Sequence, residues 1–156
     1  MTEKKVLIAY YSRTGNTKKI AEKVQDITEG DLFEIKPVKQ YPVNYNDLVN
    51  EAKTEKLNGY KPDLFETCDI SKYDIIFVGT PVWWYTFATP VRTFLSDEKF
   101  SGKTIVPFCT HGGGGASETY SDIKNLCPDS VIKDGFTSFE DSAKDSEIET
   151  WVKNSI

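Results

Sequence analysis

Apolar residues along this chain gather in short unbroken runs. Val6-Leu7-Ile8-Ala9-Tyr10-Tyr11 is the clearest, within 5–11, and further apolar or β-branched runs cover 31–36, 73–79, 103–109 and 130–136. A strand with one wet face alternates apolar and polar residues, whereas an unbroken run marks a strand covered on both faces, as in a parallel sheet. Between the runs the spacing changes to the three-and-four repeat of a helix, as in Ile20, Ala21, Val24 and Ile27. This predicts helices near 15–28, 45–56, 88–97, 116–126 and 143–154. Pro90 falls in the first turn of the third helix, where proline is tolerated. Gly30 is expected to close the first helix and Asp141 or Ser142 to cap the last, with Trp151 and Val152 on its buried face. Five strand–helix units predict an α/β fold, a doubly wound parallel sheet with helices on both faces, forming one domain over 1–156.

In such a sheet, ligands bind beyond the carboxyl ends of the strands, so the loops after the first, third and fourth strands should converge. The first is Ser12-Arg13-Thr14-Gly15-Asn16-Thr17, leading straight into a helix. The first amides of a helix have no partner within it, and its dipole adds about half a positive charge there, so an anion can dock without a lysine. Ser12, Thr14 and Thr17 add hydroxyls, and Gly15 permits close approach or positive φ. The stretch also reads simply as a good turn and N-cap, but its place after the first strand favours a phosphate cradle.

The second loop, Gly79-Thr80-Pro81-Val82-Trp83-Trp84-Tyr85-Thr86-Phe87, carries four aromatics that are costly to leave in water. One of Trp83 and Trp84 is expected to tuck into the core, leaving the other or Tyr85 to stack on a flat ring system. The third loop, Thr110-His111-Gly112-Gly113-Gly114-Gly115, brings bare backbone towards a ligand, although Gly114 and Gly115 read equally as a flexible lid. His111 reads as a donor to a ligand carbonyl, as a general acid, or as a polar loop residue without a role.

Composition narrows the classes. A formal net charge of −5 over 156 residues disfavours nucleic acid as a partner. No run is long enough to cross a bilayer and the chain opens almost directly into a strand, so no membrane association and a cytoplasmic location are expected. Cys68, Cys109 and Cys127 form no CxxC, and with the single histidine His111 they support no metal site. Ser101-Gly102-Lys103-Thr104 imitates the end of a P-loop, but Asp97 stands where the earlier glycine belongs and a strand follows instead of a helix. No nucleophile with a neighbouring base stands out.

Taken together, Ser-Arg-Thr-Gly-Asn-Thr, Gly-Thr-Pro-Val-Trp-Trp and Thr-His-Gly-Gly resemble the three binding loops of the flavodoxin family, in order and spacing over essentially the whole chain. The likeness is to its bacterial branch with a Pro-Val-Trp-Trp second loop. It implies a flavodoxin-like five-stranded sheet of order 2-1-3-4-5 with FMN held noncovalently at the switch point. By the resemblance, residues 12–17 hold the FMN phosphate, while Thr80, Pro81, Val82, Trp83, Trp84 and Tyr85, with Thr110, His111, Gly112 and Gly113, flank the isoalloxazine. The implied function is low-molecular-weight electron transfer; the alternative is an NAD(P)H-dependent quinone or flavin reductase whose pocket is shaped by Tyr41, Tyr45 and the 38–62 segment. Implied partners are redox proteins or a small acceptor such as a quinone, and the expected state is a monomer or weak dimer. Acids at Asp63, Glu66, Asp69 and Asp74, or at Asp97 and Glu98, are candidates to steer such encounters. Residues 80–87 and 110–117 contain no carboxylate in the predicted ring-facing parts, so a less depressed hydroquinone potential is expected than in strongly acidic flavodoxins.

Overall fold

A computed structural model of the protein describes residues 4–97 and 99–156. Glu98 lies outside the described residues, as does the side chain of Asp97. The chain runs β1 (Val6–Tyr10), α1 (Asn16–Thr28), β2 (Asp31–Glu34), α2 (Tyr45–Asn58), β3 (Ile75–Trp83), β4 (Thr86–Phe87), α3 (Thr89–Asp97), β5 (Thr104–His111), α4 (Thr119–Leu126), β6 (Val131–Ile132), β7 (Phe136–Phe139) and α5 (Asp145–Ser155). The main path of the sheet is β2-β1-β3-β5-β6, with β7 also on β5, and these pairings are parallel. Setting β4 aside and counting β6 and β7 as one edge position, this is the flavodoxin-like order 2-1-3-4-5.

The unbroken apolar runs are explained by two cores, one on each face. Leu7, Ala9, Ile76, Val78 and Ile105 pack against Leu48 and Ala52 of α2, Val91, Phe94 and Leu95 of α3, and Ile123 of α4. The alternate residues Ile8, Tyr10, Ile75, Phe77, Val106 and Phe108 pack against Ile20, Ala21 and Val24 of α1 and Ile148 and Val152 of α5. Successive strand residues point to opposite faces, so a doubly covered strand needs apolar residues at both parities. Phe77, Phe94 and Phe108 are fully buried, and truncating any of them to alanine should cost about 3–5 kcal/mol.

Four local expectations are corrected. The run at 130–136 is two short strands: β6 pairs with Thr104–Ile105 and β7 with Phe108–His111. Between them the Tyr120 ring lies against the Gly135 backbone, where a Cβ would sit 2.4 Å from it, and the Tyr120 hydroxyl donates to the Phe136 carbonyl at 2.6 Å. The first helix is closed by Glu29, in the left-handed region at φ 58°, instead of by Gly30. Gly30 serves a different need, because a Cβ there would meet the Val6 carbonyl oxygen at 2.7 Å. Neither Asp141 nor Ser142 caps α5; Lys144 does, its amide donating to the Glu147 side chain at 3.1 Å. The aromatic stretch is also no open loop, since β3 continues to Trp83 and returns through β4 as a tight hairpin.

Candidate functional site

The amino end of α1 lacks what a helix start usually has. Gly15 occupies the cap at φ 98° with no side-chain cap bond, and the first turn contains no acid. It contains Lys18 and Lys19 instead, the latter paired with Asp141 at 3.2 Å. Negative groups are favoured at this end of a helix dipole and cations disfavoured, so the local demand for an anion is left open. The turn is braced from within: the Ser12 hydroxyl oxygen accepts from the amides of Gly15 (3.1 Å) and Lys18 (3.3 Å). Thr17 is buried, its hydroxyl 2.8 Å from that of Thr110, which pins the start of α1 to the end of β5. Arg13 reaches across to donate to the Val43 carbonyl at 2.6 Å, just before α2.

Opposite this turn stands the β3–β4 hairpin. Val82 pairs with Phe87 and Trp83 with Thr86, leaving Trp84 and Tyr85 as a two-residue loop, with φ of 48° and 71°. Positive φ at both central positions is the geometry of a type I′ turn, normally filled by Asn or Gly, and an L side chain there costs about 1–2 kcal/mol. The turn is held from outside: the Glu118 amide donates to the Tyr85 carbonyl at 2.8 Å, and the Thr86 hydroxyl donates to Asp122 at 2.6 Å. Lys53 of α2 stacks its ammonium over the Trp84 ring at 4.9 Å. Trp83 is the tucked indole, packed edge-on by Tyr11 at 5.3 Å and Tyr41 at 4.9 Å, whereas Trp84 is half-buried and Tyr85 exposed. Burial pushes the Tyr11 phenol up to about 12, keeping it neutral behind the indole. The Thr80 hydroxyl is also inside, accepting from the Ala88 amide and donating to the Pro81 carbonyl, both at 2.8 Å.

The glycine run folds around His111. Its Nδ1 accepts from the amides of Gly113 (3.0 Å) and Gly115 (3.1 Å), which places the imidazole proton on Nε2. The Phe139 ring lies against the imidazole at 5.7 Å, and the His111 carbonyl accepts from the Glu140 amide at 2.8 Å.

These three elements enclose a cleft of two adjoining lobes. The lobe of about 400 Å³ is lined by Arg13, Thr14 and Asn16, by Pro81, Val82, Trp83 and Trp84, and by Thr110, His111 and Gly112. The second, of about 310 Å³, shares Val82, Trp84, His111 and Gly112 and adds Tyr85, Gly114, Gly115 and Ser117. Ser12, Gly15, Thr17, Thr80 and Gly113 do not line either lobe; Thr17 and Thr80 are buried beside it, and Gly113 is exposed. Two contributors lie outside the three expected loops, the first of them within the 38–62 segment expected to shape the pocket of the reductase alternative. Tyr45, Leu48, Val49 and Ala52 make α2 a wall of the first lobe, and Glu140 lines it beside His111. Tyr41, in contrast, is a backing residue, and Tyr60 lies under Lys39 at 5.2 Å. Asp69 and Asp74 precede the amino end of β3, at the opposite end of the strand from the cleft. A larger furrow of about 820 Å³ runs between α5 and the split edge strands, and none of the candidate binding residues line it. Lys103 of the P-loop-like stretch donates to the carbonyls of Ser71 and Tyr73, a structural use.

A doubly wound sheet with an anion-ready helix start facing an aromatic hairpin at its switch point defines a class of nucleotide-binding α/β proteins. The sequence model of the Flavodoxin family matches residues 5–155, and the chain belongs to that family. It is similar over 98% of both chains to a Bacteroides eggerthii flavoprotein structure, with a TM-score of 0.87 and 29% identity. A Lactobacillus acidophilus flavoprotein, solved in complex with FMN, is 27% identical with a TM-score of 0.76, over 96% of this chain and 99% of that one. An NAD(P)H dehydrogenase (quinone) of Paraburkholderia phymatum is 26% identical over 132 residues, covering 78% of this chain. The chain spans 65% of that relative's length.

Proposed function

We propose that the cleft binds FMN and that the protein is a small electron-transfer flavoprotein. The observation that carries this reading is the start of α1: its first turn has no acid and two lysines, its cap residue Gly15 offers no side chain, and the turn opens into a cleft with an aromatic far wall. The residues present fit the group. The amides of Thr14, Asn16 and Thr17 and the helix dipole suit a phosphomonoester, and Trp84, Tyr85, Val82 and the 111–115 backbone suit a flat heterocycle. When bound, FMN supplies the electron chemistry. The chain's own part is to hold the phosphate at α1, to offer ring faces at Trp84 and Tyr85, and to present the Nε2–H of His111 as a donor. The apolar wall of α2 keeps water from that contact. Val43, Tyr45, Tyr85 and Phe139 are all exposed, and Tyr45 and Tyr85 line the second lobe. Exposed aromatic and aliphatic side chains at a cleft mouth suit docking of a redox protein at the flavin edge.

The second reading, direct reduction of a quinone by NAD(P)H, is favoured by the Paraburkholderia relative and by the aromatic wall that Tyr45 adds to the cleft. Two measurements test the pair. The cofactor released by heating the purified protein should be FMN, identified by chromatography; FAD, or no flavin uptake by the apoprotein, would overturn the proposal. Steady-state NAD(P)H oxidation with a soluble quinone should be negligible for the carrier. Sustained turnover by the protein alone would establish the second reading in its place.

A further inference from the structure

Glu55 is the one charged side chain that is buried among the described residues, at 5% exposure on α2. A carboxylate out of water is costly unless it is paired and hydrogen-bonded. Here it is both: Lys39 Nζ donates to Oε2 at 2.7 Å and Tyr41 Oη donates to Oε1 at 2.9 Å. Lys39 is shared with Glu51 and rests over the rings of Tyr41 and Tyr60, each at 5.2 Å. Burial works against the Lys39 charge, but the hydrogen bonds to Glu51 and Glu55 outweigh it and hold the ammonium protonated. Burial and the Glu55 charge push the Tyr41 phenol well above its ordinary range, so its proton stays in place to be donated.

An apolar residue at 55 could anchor α2 equally well, since buried ion pairs seldom add net stability over packed hydrocarbon. What a carboxylate adds is direction. It fixes the Tyr41 hydroxyl and thereby the plane of a ring 4.9 Å from the Trp83 indole, which lines the first lobe of the cleft. Tyr11 also packs edge-on against this indole, at 5.3 Å, so the two phenols together set its plane. We infer that Glu55 is a positioning residue of the flavin cleft, which acts through Tyr41 to fix the Trp83 indole in the cleft wall. The inference rests on the FMN reading above and names how this chain shapes that site.

The test uses Tyr41→Phe, which keeps the ring and loses the donor, and Glu55→Gln, which keeps the shape and loses the charge. Ser130→Ala is the control; it removes the hydroxyl bond to the Phe100 carbonyl, remote from the cleft. FMN affinity is read by flavin fluorescence quenching, the bound flavin by visible circular dichroism, and the indole by near-UV circular dichroism of the apoprotein. Both cleft variants should bind FMN roughly tenfold more weakly, with a changed visible spectrum and a changed apoprotein near-UV spectrum. Ser130→Ala should leave all three unchanged. Wild-type visible dichroism together with affinity within about twofold in either folded variant would overturn the inference. If Glu55→Gln does not fold, Tyr41→Phe decides alone. If the wild-type protein itself takes up no FMN, the cofactor reading fails. The near-UV spectrum of the Glu55→Gln apoprotein, which keeps every aromatic residue, then decides, and no change in it overturns the positioning role.

Discussion

Gly15→Ala isolates the helix-start cradle better than any charge change. Gly15 has φ 98°, and a Cβ placed there meets nothing within 4 Å, so the substitution creates no clash. Its cost is purely conformational, about 1–2 kcal/mol for an L residue held at positive φ. The variant can keep the native backbone and lose that stability, or relax towards negative φ and turn the amides of Asn16 and Thr17 away from the cleft. In a chain of this size the first course lowers Tm by roughly 2–8 °C. In the second, FMN affinity falls by the same free energy, roughly 5- to 30-fold. Riboflavin has the same ring system without the phosphate, so its affinity should stay within about twofold of wild type. Calorimetric titration of both ligands into wild-type and variant apoprotein, beside thermal melts, measures every term. Equal losses for FMN and riboflavin would show that the turn does not hold the phosphate. No change in Tm or in either affinity would refute the conformational argument itself.

Other consequences follow from single contacts. Thr17→Val leaves the buried Thr110 hydroxyl without its 2.8 Å partner, and urea denaturation should show a loss of about 1–2 kcal/mol; an unchanged midpoint would mean the pair is not formed. Gly79→Ala drives a Cβ to 2.3 Å from the Phe108 ring, so the same assay should show a loss of about 1–3 kcal/mol, and wild-type stability would rule out this packing. Burial raises the phenols of Tyr10 and Tyr11 from 10.0 to about 12, Glu34 adding to the effect at Tyr10. The unfolded chain therefore loses these protons first, so their contribution is complete below pH 10 and declines as pH rises towards about 12. Urea midpoints should be level up to pH 10 and fall above it, less steeply in Tyr11→Phe; a level profile through pH 12 would contradict the assigned burial.

The alternation of strand and helix was legible because doubly covered strands must be apolar at both parities, and the three loops were legible because glycines, hydroxyls and aromatics break that pattern. What stayed hidden depended on contacts distant in sequence or on broken local rules. Trp84 and Tyr85 carry no turn signal, so nothing local announces the hairpin that Glu118 and Asp122 hold in place. The break between β6 and β7 is occupied by Tyr120, on a different element. Tyr45 and the 38–62 segment were legible as pocket-shaping, but Leu48 and Ala52 as wall residues were not, since only they and Glu55 are buried on an otherwise polar α2. Glu140 reaches the cleft through the β5–β7 register, from outside the acid-free 80–87 and 110–117 stretches. Glu55 sits at a position where helical periodicity alone asks for an apolar residue.

The most direct test of the cradle is an amide NMR titration of ¹⁵N-labelled apoprotein with FMN. The account predicts saturable shifts at one equivalent, largest at Thr14–Thr17 and accompanied by Trp84, Tyr85 and Gly112–Gly115. Shifts centred instead on Trp151 and the furrow along α5, or no shifts at all, would contradict it.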